Sequence, residues 1–340
     1  MEREILVLGA GVSGLSTGIL LLQKGYKVTI WEKDIPPYTT SNKAAAVWYP
    51  FICGPLDKAT EWGRVTLDFF RSEILPVSVS GCRKTSVVEI FTGKKEDPWW
   101  SEGVDTYKRI SKDKLPEGYK DGYEVEGVVM DTDVYMRYLV KTFISSGGQI
   151  WMKEVKDIRE ALYDNPLVVN CTGLGSRTLF HDKKVYPTRG QIVKIKPNGF
   201  DYSLFEEEGP NSLAYIIPRL NDIVLGGTAQ KNNWSLEVSE QDTKEILQKC
   251  AAILPQFKKV EITDIGVGLR PTRDEVRLEV EKHGSSAVIH NYGHGGAGFT
   301  LSWGCAQNAV ALVDSVVRDL SARGVEHRGI DKEPQPQPLT

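Results

Sequence analysis

The sequence predicts a mixed α/β protein with two interleaved domains, and three observations support this fold class. A glycine-rich turn at 9–14 joins a strand to a helix, and a second glycine-rich turn at 291–298 does the same near the other end. Between them, most strand patterns follow one another without long helices. The length of 340 residues fits two domains that each bury a sizeable core.

The composition excludes several classes of protein. Hydrophobic residues make up 41% and charged residues 26%, which is ordinary for a globular chain and excludes a largely disordered or fibrous one. With 42 basic and 45 acidic side chains and no long basic run, neither nucleic acid nor a membrane is expected as a partner. Five cysteines are spread out without a CxxC pair, so we expect no disulfide framework, no metal site and a reducing compartment.

The first element is a complete βαβ unit, which is typical of a Rossmann-like dinucleotide-binding domain. A continuous apolar run at 5–8 predicts a buried parallel strand, and apolar residues at helical spacing follow until Gly25. Residues 27–31 then predict a second strand.

The turn between strand and helix has the GxGxxG pattern, and each glycine has a physical reason to be there. Gly9 allows the tight turn, Gly11 lets the backbone approach a pyrophosphate, and Gly14 lets the helix pack closely on the strand. Glu32 follows the second strand, where a carboxylate binds ribose hydroxyls. A purely structural glycine turn is the alternative, but strand, helix and acid in register favour a dinucleotide site.

The later elements differ along the chain. Asp133 is predicted to cap a helix that ends at Gly147, before strands at 149–155 and 167–169. The middle contains five further strand patterns, at 86–91, 191–195, 214–217, 223–225 and 275–280. A last strand at 288–290 leads through the second glycine-rich turn into a helix over 303–322.

This order predicts a discontinuous domain organisation. The dinucleotide-binding domain is expected to comprise 1–55, 131–190 and 285–323, the mainly antiparallel substrate domain 56–130 and 191–284, and the polar residues 324–340 a flexible tail. The apolar run at 5–8 is too short for a signal peptide, and Pro338-Leu339-Thr340 is not a peroxisomal tripeptide. We therefore expect a cytoplasmic protein.

Several motifs, taken in order, resemble the D-amino-acid oxidase and D-aspartate oxidase family over nearly the whole chain. They are the first glycine turn, Thr39 to Ser41, Ala44 to Trp48, Val168 to Gly173, Arg189-Gly190-Gln191, Tyr215 to Pro218, Gly226-Gly227-Thr228, Gly268 to Pro271, and His290 to Cys305. The last of these is the most specific.

The resemblance implies non-covalently bound FAD as cofactor. Glu32 is expected to hold the ribose, Lys33 to lie near the adenosine, Thr40 and Ser41 near the pyrophosphate, and Val155 near the adenine. Ala45, Ala46 and Val47 are expected to line the flavin, with Ala46 standing where mammalian members usually have glycine. Backbone donors at Gly295, Gly296, Phe299, Thr300 and Leu301 would face the flavin's pyrimidine end. The implied cofactor set is completed by Gly9, Gly11, Val12, Ser13, Gly14, Thr172 and Gly298.

On the substrate side, the resemblance assigns three catalytic positions. Arg270 would bind the substrate carboxylate with its planar guanidinium, Tyr215 would assist, and the Gly296 carbonyl would receive the amine. A structural salt bridge for Arg270 and a half-buried strand tyrosine for Tyr215 are the alternatives. His294 is expected to support the fold or contact the flavin instead of acting as a base.

Two further pocket positions, Asn211 and Ala229, depart from the family pattern. Mammalian D-amino-acid oxidases have a lid tyrosine near Asn211, and D-aspartate oxidases have an arginine where Ala229 stands. Without that cation, and with glutamates at 206–208, the expected substrates are D-amino acids with neutral side chains, and bulky or basic side chains are also compatible.

The implied reaction is oxidative deamination by hydride transfer from Cα to the flavin, with O2 as acceptor. Its products are a 2-oxo acid, ammonia and hydrogen peroxide. D-aspartate oxidase is the first alternative, glycine or sarcosine oxidation is more remote, and a catalytically inactive flavin-binding protein is the non-enzymatic alternative. The absence of a second GxGxxG argues against an NAD-dependent dehydrogenase. A homodimer is left open.

Overall fold

The computed structural model describes residues 3–49, 53–98, 100–101 and 104–322. The predicted tail 324–340 lies outside the described residues. Seven α-helices and fifteen strands are found in the described part, and the predicted α/β class is confirmed. In that part of the chain, no helix has both the length and the apolar character needed to cross a membrane.

Five parallel strands form the first region of the sheet, which we call the parallel region. In spatial order they are β15 (Ser286–His294), β8 (Leu167–Asn170), β1 (Glu4–Leu8), β2 (Lys27–Glu32) and β7 (Gln149–Met152). Val7 pairs with Ile30 on one side and Val169 on the other, and all three are buried. Such uniformly apolar strands need cover on both faces.

Helices supply that cover. One face packs against α1 (Val12–Gln23), α3 (Thr132–Ser145) and α7 (Gly298–Ala322), and this cluster includes the buried side chains of Ile19 and Phe143. The other face, around Leu6 and Val168, packs against α4 (Ile158–Asp164). The four-residue α5 (Ser176–Leu179) follows β8.

The remaining strands form the antiparallel region, in which β4 and β10 are the exception because they pair in parallel. In spatial order they are β3 (Val47–Trp48), β6 (Asp121–Met130), β4 (Cys82–Phe91), β10 (Ser203–Glu206), β11 (Ala214–Pro218), β12 (Ile223–Gly226), β9 (Tyr186–Ile195) and β14 (Ile262–His283). Two-residue strands β5 (Lys108–Arg109) and β13 (Gln230–Lys231) pair with β6 and β9.

The long strand β14 joins the two regions. Its first part pairs with β9, down to Thr272 opposite Tyr186, and its second part pairs with β15. The register shifts between Thr272 and Arg277, where the strand changes partner. The sequence prediction found only 275–280 of this strand.

Four helices were missed in the sequence, the short α4 and α5 and two helices of fourteen residues. The expectation of strands without intervening helices is wrong for α6 (Glu240–Ile253), which packs Ile246 and Cys250 against the antiparallel region. Its signal was present, because the Ser239 side chain caps the helix by accepting a bond from the Asp242 N–H at 3.1 Å.

The second of these longer helices, α2 (Leu56–Phe69), lies against α7. The Gly304 N–H donates to Thr66 Oγ1 at 2.9 Å, and a Cβ at Gly304 would lie 2.5 Å from Trp62 Cα. Trp62 shares a buried cluster with Leu301, and the Phe69 ring stacks on Trp303, so α2 buries an apolar face against α7.

Several predicted boundaries also shift. The N-cap of α3 is Asp131 rather than Asp133, because Asp131 keeps extended backbone angles while Thr132 is already helical. Strand β7 ends at Met152 rather than 155, and α7 begins at Gly298, five residues before the predicted start.

Candidate active site

The first glycine turn is held by close backbone contacts. Gly9 has φ +106°, and a Cβ there would lie 2.5 Å from the Cys171 carbonyl oxygen. A Cβ at Gly14 would overlap the Gly9 carbonyl. The turn therefore tolerates no side chain at either position, and α1 starts directly above the ends of β1 and β8.

The N-terminus of α1 is suited to bind an anion. Gly11 is its N-cap without a side-chain cap, and the first turn contains no acidic residue. Ser41 lies beside this turn, since its Oγ accepts a hydrogen bond from the Val12 N–H at 3.0 Å. The Ser13 hydroxyl donates to the Asn291 carbonyl at 3.1 Å, which ties α1 to β15.

Glu32 is oriented by the backbone of the same turn. Its Oε2 accepts a bond from the Ala10 N–H at 2.7 Å, and its Oε1 accepts one from the Lys33 N–H at 2.8 Å. Burial raises the pKa of Glu32, and these N–H donors oppose the rise. The carboxylate is thus fixed at the end of β2, as binding of a ribose requires.

The two predicted adenosine-side residues lie close to Glu32 in the fold. Lys33 is exposed, and its Nζ lies 3.6 Å from the Asp34 carboxylate. Val155 is half-buried beside the cluster around Trp31. Thr40, predicted near the pyrophosphate, is exposed in the same short turn as Ser41.

Thr172 closes the turn from the β8 side. Its hydroxyl donates to Asn170 Oδ1 at 2.8 Å, and its backbone N–H bonds the same oxygen at 3.1 Å. A Cβ at Gly9 would lie 3.4 Å from the Thr172 nitrogen. Thr172 is therefore adjacent to the dinucleotide turn.

The predicted flavin-side segment at Ala45, Ala46 and Val47 leads into β3, which begins at Val47. Ala46 is buried in the cluster around α1, so its methyl group packs in the core, whereas Ala45 and Val47 are half-buried beside the aromatic cluster of Tyr49. Tyr49 links this segment to α7, because Thr300 Oγ1 donates to the Tyr49 carbonyl at 3.1 Å.

The second glycine turn lies next to the first one in space. A Cβ at Gly298 would be 3.9 Å from Val12 Cγ1, so α1 and α7 begin side by side. Gly295 has φ +55° and Gly296 is exposed, while Phe299 and Leu301 are buried in the cores beneath.

His294 precedes this turn and is buried. Burial lowers the pKa of His294 to about 4, so the ring is neutral near pH 7. Its Nε2 has no hydrogen-bond partner among the described residues. A buried imidazole with a free nitrogen fits a polar group of a bound cofactor better than a structural network, which would satisfy that nitrogen.

On the antiparallel region, one row of paired residues crosses the sheet on a single face. Tyr123 pairs with Glu89, Glu89 with Phe205, and Phe205 with Tyr215. The Tyr49 ring stacks on Phe205, with ring centroids 5.1 Å apart. Both tyrosine hydroxyls, of Tyr49 and Tyr123, donate to Glu89 Oε2. This forms an aromatic wall that ends at Tyr215.

The Tyr215 ring packs against the backbone of two glycines, Gly226 and Gly227. A Cβ at Gly227 would lie 2.6 Å from the Tyr215 ring, and one at Gly226 would overlap it. Burial raises the pKa of Tyr215, while the nearby Arg270 guanidinium acts in the opposite direction. The hydroxyl is therefore protonated at neutral pH and able to donate a hydrogen bond.

Arg270 has the same kind of glycine platform. A Cβ at Gly190 would lie 2.6 Å from Arg270 Cζ, and the guanidinium donates to the Thr228 carbonyl at 2.8 Å. Among the described residues, no carboxylate forms a salt bridge with Arg270. By contrast, Arg273 pairs with Asp182 at 3.1 Å. Arg270 is thus a half-buried cation without an anionic partner among the described residues, which is the arrangement that binding of a carboxylate ligand needs.

The register of β14 brings Arg270 to the second glycine turn. Thr272, two residues after Arg270, pairs with His294, and a Cβ at Gly295 would lie 3.7 Å from Thr272 Oγ1. Tyr215, Arg270 and Gly296 are thereby gathered at the border between the parallel and antiparallel regions.

Comparison with known proteins identifies the family. Residues 4–312 match the family described as DAO, FAD dependent oxidoreductase. This chain belongs to that family. Its cofactor is FAD, and the helix N-terminus without acidic residues, the oriented Glu32 and the unpartnered His294 Nε2 all fit that dinucleotide.

Three curated relatives cover nearly the whole chain. A D-amino-acid oxidase of Dictyostelium discoideum is 52% identical over 319 residues, covering 92% of this chain and 91% of the relative. A D-amino-acid oxidase of Rubrobacter xylanophilus is 39% identical, with 92% and 96% covered. A human D-aspartate oxidase is 32% identical, with 93% and 96% covered.

Solved structures show the same fold. The crystal structure of glycine oxidase from Bacillus cereus has a TM-score of 0.79 at 21% identity and covers 92% of this chain and 95% of that chain. An L-proline dehydrogenase from P. horikoshii reaches 0.76 at 14% identity, with 92% and 94% covered.

Asn211 and Ala229, the two altered pocket positions of this DAO-family chain, differ in placement. Asn211 Nδ2 donates to the Tyr119 hydroxyl at 3.3 Å, and Tyr119 belongs to the cluster on the other face of the sheet from Tyr215. The structure therefore does not bring Asn211 to Tyr215 and Arg270. Ala229 is exposed directly after Thr228, whose carbonyl binds Arg270.

Sequence reasoning missed the wall residues. Glu89 carried a signal, since a glutamate inside the otherwise apolar stretch 87–91 is unusual for a buried strand. Arg189 was noticed only as a motif. It is 2% exposed and bonds Asp242 Oδ2 at 2.7 Å and the Ser235 carbonyl at 3.1 Å. Arg189 therefore fixes the loop before α6.

Proposed function

We propose that this chain is an FAD-dependent D-amino-acid oxidase that favours D-amino acids with neutral side chains and also accepts bulky or basic ones. The observation that carries the proposal is Arg270, whose guanidinium has no carboxylate partner among the described residues and lies beside the half-buried Tyr215 and near the second glycine turn. The 52% identical relative is itself named a D-amino-acid oxidase and supports the same activity.

When bound, FAD would supply the redox chemistry, namely two-electron oxidation of the substrate to the imino acid by hydride transfer from Cα, with O2 reduced to hydrogen peroxide. Water then converts the imino acid to a 2-oxo acid and ammonia. The work of the chain is to bind and orient the amino acid.

Arg270 and Tyr215 hold the carboxylate, the first with a planar pair of N–H donors and the second with its O–H. The exposed Gly296 carbonyl accepts a hydrogen bond from the amine. These contacts fix which hydrogen of Cα faces the flavin, and therefore the handedness of the substrate. Catalysis is then mainly orientation.

No side chain of this site is assigned as a general base. His294 is the nearest histidine to the turn, but it is buried and its low pKa, about 4, makes it a weak proton acceptor. The amine lone pair assists departure of the hydride in its place.

A neutral preference is favoured over D-aspartate oxidase activity by the charges around Arg270. Ala229 places no cation directly after the Gly226–Thr228 segment, the following Lys231 lies over the Tyr186 ring, and Asn211 faces the opposite side of the sheet. The similarity to a human D-aspartate oxidase keeps that activity as the second candidate. D-aspartate as the best substrate would favour it over our proposal.

A peroxide-coupled assay with paired D- and L-amino acids tests the proposal. We expect peroxide from neutral D-amino acids and none from their L forms. Equal activity with L-amino acids, or none with any D-amino acid, would overturn it.

The carboxylate anchor has a matched control on its own strand. Arg270→Leu should lower kcat/KM by at least about 100-fold, since two charge-assisted hydrogen bonds are lost. Arg273→Leu removes an arginine that is paired with Asp182, and should change kcat/KM by less than about threefold. Equal effects in the two variants would contradict the assignment.

The domain division, assembly and location are part of the same proposal. The cofactor domain is proposed to comprise 1–55, 131–190 and 285–323, and the substrate domain 56–130 and 191–284. Light scattering would test a homodimer, and cell fractionation would test a cytoplasmic location.

A further inference from the structure

β10 ends at the first of three consecutive glutamates, and two of the three have partners. Glu206 is buried, and it accepts hydrogen bonds from the Tyr119 hydroxyl and from the Asn211 N–H at 3.2 Å. Glu208 is exposed and forms an ion pair with Lys95. Glu207, between them, has neither a hydrogen bond nor an ion pair among the described residues.

Glu207 directly follows β10 and stands two residues after Phe205, which pairs with Tyr215. From Tyr215 the row of paired residues continues through Gly226 to Ile192. Gly190, over which the Arg270 guanidinium lies, is displaced from Ile192 along β9 in the same direction as Glu207 is from Phe205. Glu207 and Arg270 therefore lie beyond the same end of this row.

The electrostatic effects agree with this placement. Burial raises the pKa of Glu207, and the positive charge of Arg270 opposes that rise. The charge of Glu207 in turn raises the pKa values of Tyr215 and of Glu89 in the aromatic wall. Glu207 therefore acts on the groups that surround the candidate substrate position.

We propose that Glu207 is a specificity-determining residue that favours D-amino acids with a cationic side chain and disfavours those with an acidic one. The inference rests on the proposed function. When the substrate carboxylate is bound to Arg270, Glu207 remains as a charged group without a partner. A second charge on the substrate would meet Glu207. An ammonium or guanidinium would be attracted to it, and a second carboxylate would be repelled.

Pairs of substrates of similar size isolate this effect from side-chain length. D-lysine is compared with D-norleucine, and D-glutamate with D-glutamine, by kcat/KM in the FAD-bound enzyme. In Glu207→Gln, the D-lysine to D-norleucine ratio should fall about tenfold, and the D-glutamate to D-glutamine ratio should rise about tenfold. In the control variant Glu208→Gln, both ratios should stay within about twofold of the wild type.

The possible results separate a failure of the Glu207 inference from a failure of the proposed function. Ratios in Glu207→Gln that equal those of the wild type would overturn the inference while leaving D-amino-acid oxidation intact. Absence of activity with every D-amino acid would instead contradict the proposed function. Should Glu207→Gln fail to bind FAD, the wild type still tests the inference, because equal kcat/KM for D-glutamate and D-glutamine would refute it. Glu207→Lys should reverse the preference between D-lysine and D-glutamate.

Discussion

Gly190→Ala moves the carboxylate anchor without removing its charge. The added Cβ would lie 2.6 Å from Arg270 Cζ, whereas ordinary van der Waals contact begins at 3.4 Å. The guanidinium must therefore retreat by about 0.8 Å. Gly190 is not among the residues with positive φ, so alanine brings no backbone strain of its own.

A displacement of this size breaks the geometry of a two-pronged hydrogen bond. Each charge-assisted hydrogen bond contributes about 1.5–3 kcal/mol, and loss of one corresponds to about a 10- to 100-fold decrease in kcat/KM. The bond from Arg270 to the Thr228 carbonyl, now 2.8 Å, should weaken as well. We expect KM to rise more than kcat falls, because substrate and transition state both use this anchor.

The assay is steady-state peroxide production with a neutral D-amino acid, with flavin absorbance to confirm cofactor content. Gly266→Ala is the matched control, since Gly266 pairs with Ile192 on the same two strands and its Cβ would contact only that side chain, at 3.1 Å. Its kcat/KM should stay within about threefold of the wild type. Wild-type kcat/KM in Gly190→Ala, with FAD bound, would refute the placement of Arg270.

Two further predictions concern stability. Gly9→Ala should lower the thermal midpoint and FAD content, because the residue combines φ +106° with a clash against the Cys171 carbonyl, whereas Gly25→Ala, at φ +86° in open space, should cost only about 1 kcal/mol. Equal midpoints in the two variants would contradict this. Burial raises the pKa of Glu89 to about 7, above its unfolded value, so its stabilising contribution is present in acid and is lost as pH rises through about 7. Glu89→Gln should remove that loss, roughly 3 kcal/mol, and thermal denaturation of both proteins between pH 5 and 8 measures it.

The dinucleotide turn was predictable because its signals are local. Gly9, Gly11 and Gly14 act within a few residues of one another, and strand, turn and helix follow without interruption. Glu32 was predictable for the same reason, as the next strand ends there. Local spacing thus specifies this part of the fold and of the site.

The substrate side depends on pairings that spacing does not encode. Strand β14 runs through Pro271, which pairs with Pro187, and through several charged residues, so neither an alternating nor a continuous apolar pattern reveals its 22 residues. The resemblance predicts Asn211 in the pocket because it lies shortly before Tyr215 in the chain. However, β11 begins only at Ala214, and the Asn211 side chain faces Tyr119.

The position of Arg270 follows from a strand of which the sequence revealed only residues 275–280. β14 changes partner from β9 to β15 at Thr272, which pairs with His294. Arg270 stands two residues before this change. Backbone pairing therefore sets the distance between the carboxylate anchor and the second glycine turn, with no loop between them. Because the reaction needs a fixed orientation of Cα more than an acid or a base, a rigid strand is a better support for Arg270 than a mobile segment would be.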